Sequence, residues 1–196
     1  MNIVIVKYNA GNVKSVEIAL ERLGVSSVLT DDPEKILSAD KIIFPGVGEA
    51  SSAMNYLKQR NLDATILAAK QPLLGICLGM QLMCLHSEEN NTQCLGVFNE
   101  HVLKFDAAQL HLKTPQIGWN NIYGLSTPLF KGVDENSYCY FVHGYYASSG
   151  EQTIATTKYG IEYSAALHQN NFYGVQFHPE KSADIGSKII QNFIDL

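Results

Sequence analysis

Basic residues are scarce in this 196-residue chain, which has two arginines, Arg22 and Arg60, no lysine cluster and a formal net charge of -5. A nucleic-acid surface normally needs a basic patch, so no nucleic-acid partner is expected. No apolar run approaches the ~20 residues that span a bilayer, so no membrane is expected either. The start, Met1-Asn2-Ile3-Val4-Ile5-Val6, lacks the charged segment and small-residue cleavage site of a signal peptide. It reads as a strand, and a soluble cytoplasmic protein is the expectation. There is no Walker loop and no Rossmann fingerprint, and Gly46-Val47-Gly48 is too short for either. The four cysteines, Cys77, Cys84, Cys94 and Cys139, match neither a zinc site nor a CxxC redox pair. No His/Cys/Asp/Glu cluster points to a metal, and no cofactor is expected. Cys84, Cys94 and Cys139 sit among apolar neighbours and read as reduced packing residues.

What is present is ordinary globular composition, 46% hydrophobic and 17% charged. With no internal repeat, low-complexity segment or linker, one domain over 1–196 is expected. Short apolar runs at 2–6, 25–29, 41–44 and 73–76 read as strands. Helical patterns lie between or after them: 12–23 with Asn12 as cap and Gly24 as stop, then 50–59, 62–70 and 80–86. This β-α-β-α order predicts an α/β fold, an open, mostly parallel sheet flanked by helices. The second half reads as consecutive strands at 97–105, 117–123, 138–142, 153–157, 162–167 and 172–177, with a turn at Asn170-Asn171. These predict antiparallel additions to that sheet, closed by a helix over 182–194.

The chemistry concentrates in Leu73-Leu74-Gly75-Ile76-Cys77-Leu78-Gly79-Met80-Gln81. An apolar strand runs into a helix with cysteine at the junction and glycine two residues to either side, a nucleophile elbow. A helix amino terminus favours the reactive thiolate. The alternative is a buried cysteine between two glycines that merely turn the chain. A nucleophile needs a base, and the base an orienting acid. Tyr173-Gly174-Val175-Gln176-Phe177-His178-Pro179-Glu180 offers both. Pro179 biases His178 toward an extended backbone, where residues two apart share a side, so Glu180 can reach the imidazole; a surface His-Pro-Glu turn is the alternative. Donors for a developing oxyanion are available from the Leu78 N–H and from the glycine-rich Pro45-Gly46-Val47-Gly48, unless the latter is an ordinary turn. His86, His101, His111 and His168 have no suitable companions, and His143 is ambiguous.

Gly75-Ile76-Cys77-Leu78-Gly79-Met80-Gln81 together with His178-Pro179-Glu180 resembles the class I, triad-type glutamine amidotransferases. Four further segments look like the amidotransferase subunits of imidazole glycerol phosphate synthases. They are Tyr8-Asn9-Ala10-Gly11-Asn12 with Ser15, Pro45-Gly46-Val47-Gly48, Ile117-Gly118-Trp119-Asn120 and Tyr140-Phe141-Val142-His143. The segment 177–182 fits the same group, and the resemblance runs the length of the chain. Lys7 and Asn9 stand where that group often has acidic and glycine residues, and Gln116-Ile117 where it often has His-Met.

The resemblance implies hydrolysis of L-glutamine to glutamate and ammonia through a cysteine thioester, with ammonia channelled to a (β/α)8-barrel cyclase subunit in a heterodimer of histidine biosynthesis. It implies Cys77 as nucleophile, His178 as acid/base and Glu180 as its orienter. Val47, Gly48 and Leu78 would form the oxyanion hole after a loop rearrangement triggered by the partner. Gly48, Gln81, Gly144 and Tyr145 would hold glutamine, and Asn12, Trp119, Tyr140 and Lys181 would face the cyclase. A glutaminase serving another synthase, such as anthranilate or aminodeoxychorismate synthase, a free-standing cysteine hydrolase and a binding module without activity remain as competing readings.

Overall fold

The computed structural model describes residues 1–9, 11–110 and 112–196; Ala10 and His111, both named above, lie outside them. The elements in chain order are β1 (Ile3–Val6), α1 (Val13–Arg22), β2 (Ser27–Thr30), α2 (Pro33–Leu37), β3 (Lys41–Phe44), α3 (Ala50–Gln59), α4 (Leu62–Ala68), β4 (Leu73–Ile76) and α5 (Leu78–Leu82). There follow β5 (His86–Ser87), β6 (Thr92–Gln93), β7 (His101–Lys104), α6 (Ala107–Leu110), β8 (Gln116–Ile122), β9 (Ser137–His143), β10 (Tyr145–Ala147), β11 (Thr153–Tyr159), β12 (Ile161–Gln169), β13 (Phe172–Val175) and α7 (Ala183–Asp195).

The main sheet has the order β11-β12-β13-β4-β3-β1-β2. Strands β2, β1, β3, β4 and β13 run parallel, while β12 and β11 are antiparallel additions. Strands β1, β3, β4 and β13 are buried throughout, as short Val/Ile/Leu-rich runs covered on both faces must be. Two apolar cores result. One gathers Ile3, Ile5, Leu74 and Ile76 with α1 and α7. The other gathers Val4, Val6, Ile42 and Phe44 with α3 and α4. Each fully buried side chain of this kind contributes about 1.5–3 kcal/mol. The sheet therefore holds β4 as a rigid central strand between β3 and β13.

Three expectations need correction. The second-half strands do not all join the main sheet: β10-β7-β5-β6 form a second sheet and β8-β9 a third. Of the run 97–105 only β7 is a strand, because Val97 and Phe98 send their N–H groups back to the Met83 carbonyl. The helix expected over 80–86 begins at Leu78 and ends at Leu82, and His86 already pairs in β5. Helix α2 was not expected. It is a short turn started by Asp32, which accepts from the Glu34 N–H at 3.0 Å, with Pro33 at its first position.

Candidate active site

Strand β4 ends at Ile76, and Cys77 turns the chain into α5. Its backbone is at φ 50, ψ -108, outside the ordinary regions for an L-residue. The conformation is held by the Cys77 N–H, which donates to the Val175 carbonyl at 2.8 Å on the neighbouring strand. A Cβ on Gly79 would overlap the Phe44 carbonyl, and one on Gly75 would run into Met83 and the Met80 backbone. Strand and helix approach too closely for any side chain at either position, which is the physical reason for the two glycines.

Because β13 pairs parallel with β4, its carboxyl end arrives at the same edge of the sheet and brings the buried His178 beside Cys77. The His178 Nδ1 meets the Glu180 Oε1 at 2.7 Å, both side chains being removed from solvent. The route to this contact differs from expectation. His178 is extended, but Pro179–Lys181 is a 3-10 turn, so the chain curls Glu180 back to the imidazole instead of alternating along a strand. Asn12 donates from Nδ2 to the same Glu180 oxygen. Its backbone is left-handed and its side chain caps nothing, so its expected capping role is wrong. Among the described residues, Nε2 of His178 and Oε2 of Glu180 are buried without hydrogen-bond partners. Burial pulls the His178 pKa down, yet the opposing Cys77 sulfur and then Glu180 outweigh it and raise it to about 10. His178 is thereby biased toward its charged imidazolium form.

A cavity of about 90 Å3 opens over Cys77. Val47, Gly48, Leu78, Gln81, Gly144 and Tyr145, all singled out in the sequence, line it, together with His143, Val142 and Glu89. Sequence reasoning missed Glu89, which comes from a short 3-10 turn without a motif. Its Oε2 accepts from the Ala50 N–H at 2.8 Å, and burial raises its pKa, with the Glu49 charge adding to the rise. His143 is no second base. It faces the Tyr145 carbonyl through Nδ1 at 2.6 Å and the Tyr163 hydroxyl through Nε2 at 3.2 Å. Burial holds its pKa down at about 4, so it stays neutral and braces the Gly144-Tyr145 turn. A larger open cavity of about 700 Å3, around Glu100, Gln152 and His168, shares no residue with this one and contains no cysteine.

The backbone N–H groups of Leu78 and Val47 do not converge on one point. The Leu78 N–H donates to the Gly46 carbonyl at 3.3 Å. In a trans peptide C=O and N–H point opposite ways, so the Val47 N–H is directed away from Leu78. The flanking carbonyls are tied to the first loop: Tyr8 donates its hydroxyl to Pro45, and the Gly11 N–H reaches Val47 at 3.0 Å.

Strands β8 and β9 present an outward face. Ile117 (63% exposed), Trp119 (53%) and Tyr138 (60%) lie on it, and Trp119 and Tyr140 pack edge to face at 6.1 Å. Strand β9 also reaches His178. The His178 N–H donates to the Tyr140 carbonyl at 2.8 Å, and Ser182 Oγ accepts from the Tyr140 N–H at 2.9 Å while donating to the His178 carbonyl at 2.7 Å. Lys181 is exposed beside this junction.

The family described as "Glutamine amidotransferase class-I" matches residues 4–196. The chain belongs to this family. This amidotransferase is 52% identical over 196 residues to "Imidazole glycerol phosphate synthase subunit HisH" of Bacteroides fragilis (strain YCH46), covering 100% of both chains. It is 45% identical to the subunit of that name from Haemophilus influenzae (strain ATCC 51907 / DSM 11121 / KW20 / Rd), over 100% of this chain and 98% of the relative. Solved structures agree in fold. A "putative gmp synthase subunit a protein" from Thermoplasma acidophilum superposes with TM-score 0.76 at 21% identity, covering 100% of this chain and 93% of that one. "PurLQS from Thermotoga maritima" superposes with TM-score 0.75 at 17% identity, covering 99% and 97%. Among the described residues, no helix of the amidotransferase is long and apolar enough to cross a membrane.

Proposed function

We propose that this amidotransferase is the glutaminase subunit of an imidazole glycerol phosphate synthase, acting in the cytoplasm as one domain over 1–196. Cys77 is the nucleophile. As thiolate it attacks the side-chain carbonyl carbon of L-glutamine, and the carbonyl oxygen takes the charge. The His178 imidazolium protonates the departing nitrogen, ammonia leaves, and a thioester remains. His178 then takes a proton from water, which attacks the thioester to give glutamate and restore the sulfur. Glu180 orients the imidazole. The observation that carries this chemistry is the juxtaposition of a strained, buried Cys77 with the buried His178–Glu180 pair.

The pocket suits glutamine. Glu89 provides a carboxylate for the α-ammonium, while Gln81 and the backbone of Gly48, Gly144 and Tyr145 offer polar groups for the remainder. The oxyanion donors are Leu78 and the Val47–Gly48 segment, once the Gly46–Val47 peptide turns over. One rotation frees the Leu78 N–H and aims the Val47 N–H at the same point.

The synthase assignment is supported by the full-length relatives named above. A heterodimer with a (β/α)8-barrel cyclase is supported by the face of exposed Ile117, Trp119 and Tyr138 with half-buried Tyr140, by the half-exposed Asn12 and by Lys181. Ammonia would leave toward that face. The test of the nucleophile is mass spectrometry after incubation with a diazoketone analogue of glutamine. An adduct confined to Cys77 supports the reading, and an adduct on Cys84, Cys94 or Cys139 alone, or none, contradicts it.

A further inference from the structure

Gln176 lies between the end of β13 and His178 and is fully buried, its backbone N–H held by the Ala165 carbonyl at 2.8 Å. Its side chain approaches the sulfur of Cys77 at 3.6 Å. Which end of the amide faces the sulfur decides what it does. Gln81 fixes the answer. One side-chain group of Gln81 lies 2.8 Å from the Tyr145 carbonyl, which can only accept, so that group is the NH2. The same NH2 lies 2.9 Å from the Gln176 amide and must find an oxygen there. The Gln176 nitrogen is left facing Cys77.

The sulfur needs such a donor. Its other polar contact is the Val142 carbonyl at 3.9 Å, an acceptor that favours the thiol over the thiolate. The Leu78 N–H is taken by Gly46, and α5 spans only Leu78–Leu82, so little helix dipole reaches the site. The titratable groups facing the sulfur are His178 with Glu180, the Tyr8 and Tyr163 hydroxyls, and Glu89 and His143 at the pocket wall. Tyr8 donates to Pro45 and Tyr163 is engaged by Gln116 and His143, so neither hydroxyl is directed at Cys77.

We propose that Gln176 is a fourth catalytic residue, which donates an amide N–H to the Cys77 thiolate and is held in that orientation by Gln81 and the Tyr145 carbonyl. This rests on the reading of Cys77 as nucleophile. It adds a neutral donor that stabilises the thiolate without competing for the proton that His178 must deliver. Gln81 thereby gains a second role, because the side chain that lines the glutamine pocket also sets the polarity of the amide on the nucleophile.

The test is the pH dependence of Cys77 alkylation by iodoacetamide, followed on the Cys77 peptide by mass spectrometry. A hydrogen bond to a charged group is lost in Gln176→Met, which keeps the length and removes the donor, so the alkylation midpoint moves up by about 1 pH unit. The kcat for glutamine falls roughly tenfold, with KM changed less. Gln176→Leu, which has neither a donor nor an ionisable group, moves the midpoint in the same direction and decides the matter if the methionine variant does not fold. Midpoints coincident with wild type in the folded variants overturn the assignment of Gln176. Glutaminase activity retained in Cys77→Ala overturns the underlying reading instead, so the two failures are distinguishable.

Discussion

The backbone N–H of Leu78, a residue lining the pocket over Cys77, donates to the carbonyl of Gly46 at 3.3 Å. If Leu78 is an oxyanion donor, this bond occupies the N–H that the oxygen of a tetrahedral intermediate needs. On the proposed roles, Cys77, His178 and Glu180 stand together beside an occupied oxyanion donor, the arrangement of an enzyme at rest. The carbonyls on either side, Pro45 and Val47, are held by Tyr8 and Gly11. The first loop also carries Asn12, whose amide reaches Glu180. Tyr8, Gly11 and Asn12 thus link the Pro45–Val47 loop to Glu180, and on the proposed roles a partner pressing on them would act on both.

If the Val47 N–H becomes an oxyanion donor, Val47→Pro removes it while keeping the carbonyl that Gly11 binds. Loss of one such donor costs about 100- to 1000-fold in kcat. We expect that loss in partner-stimulated glutamate release, with Cys77 alkylation by iodoacetamide unaffected. Steady-state kinetics beside an alkylation time course measures both.

Asn12 and His178 share one oxygen of Glu180. Removing the Asn12 amide in Asn12→Ala leaves that carboxylate with a single donor and free to turn. A hydrogen bond to a charged group is worth roughly 1.5–3 kcal/mol, so kcat should fall tenfold or more, with the glutamine KM nearly unchanged. Assays at saturating cyclase separate this effect from weakened association.

His143 titrates at about 4 in the folded protein because burial disfavours its charged form, and near 6.5 when unfolded. Between those values the unfolded chain binds the extra proton. Stability is therefore complete above about pH 6.5 and falls as the pH drops toward 4. In His143→Gln this component of the acid sensitivity disappears. Urea unfolding of both proteins at intervals across that window measures the difference.

Much of this was legible in the sequence because it depended on close approach and short range. Gly75 and Gly79 mark a junction with no room for a side chain, and the buried quartets of β1, β3 and β4 announce a covered parallel sheet. The separation of β8–β9 and of β5, β6, β7 and β10 into their own sheets was hidden, because pairing partners are set by long-range packing and not by local pattern. Glu89 and Gln176 were passed over for the same reason. Each acts through a neighbour far away in the chain, Ala50 for one and Cys77 for the other. Asn12 was legible as a polar residue at a helix start, but its amide turns to Glu180, 168 positions away. The glycine-rich Pro45-Gly46-Val47-Gly48 loop marked a place where a peptide can rest in more than one orientation, while the bonds that hold it, from Tyr8 and Gly11, are long-range.

The most direct measurement is glutamate release from L-glutamine by the purified chain, alone and with a barrel cyclase of an imidazole glycerol phosphate synthase and its ribotide ligand, with Cys77→Ala as control. We expect slow release alone, strong stimulation by the liganded cyclase, and no activity in Cys77→Ala under either condition. Full activity without the cyclase would contradict the resting oxyanion loop, and activity surviving Cys77→Ala would contradict the triad itself.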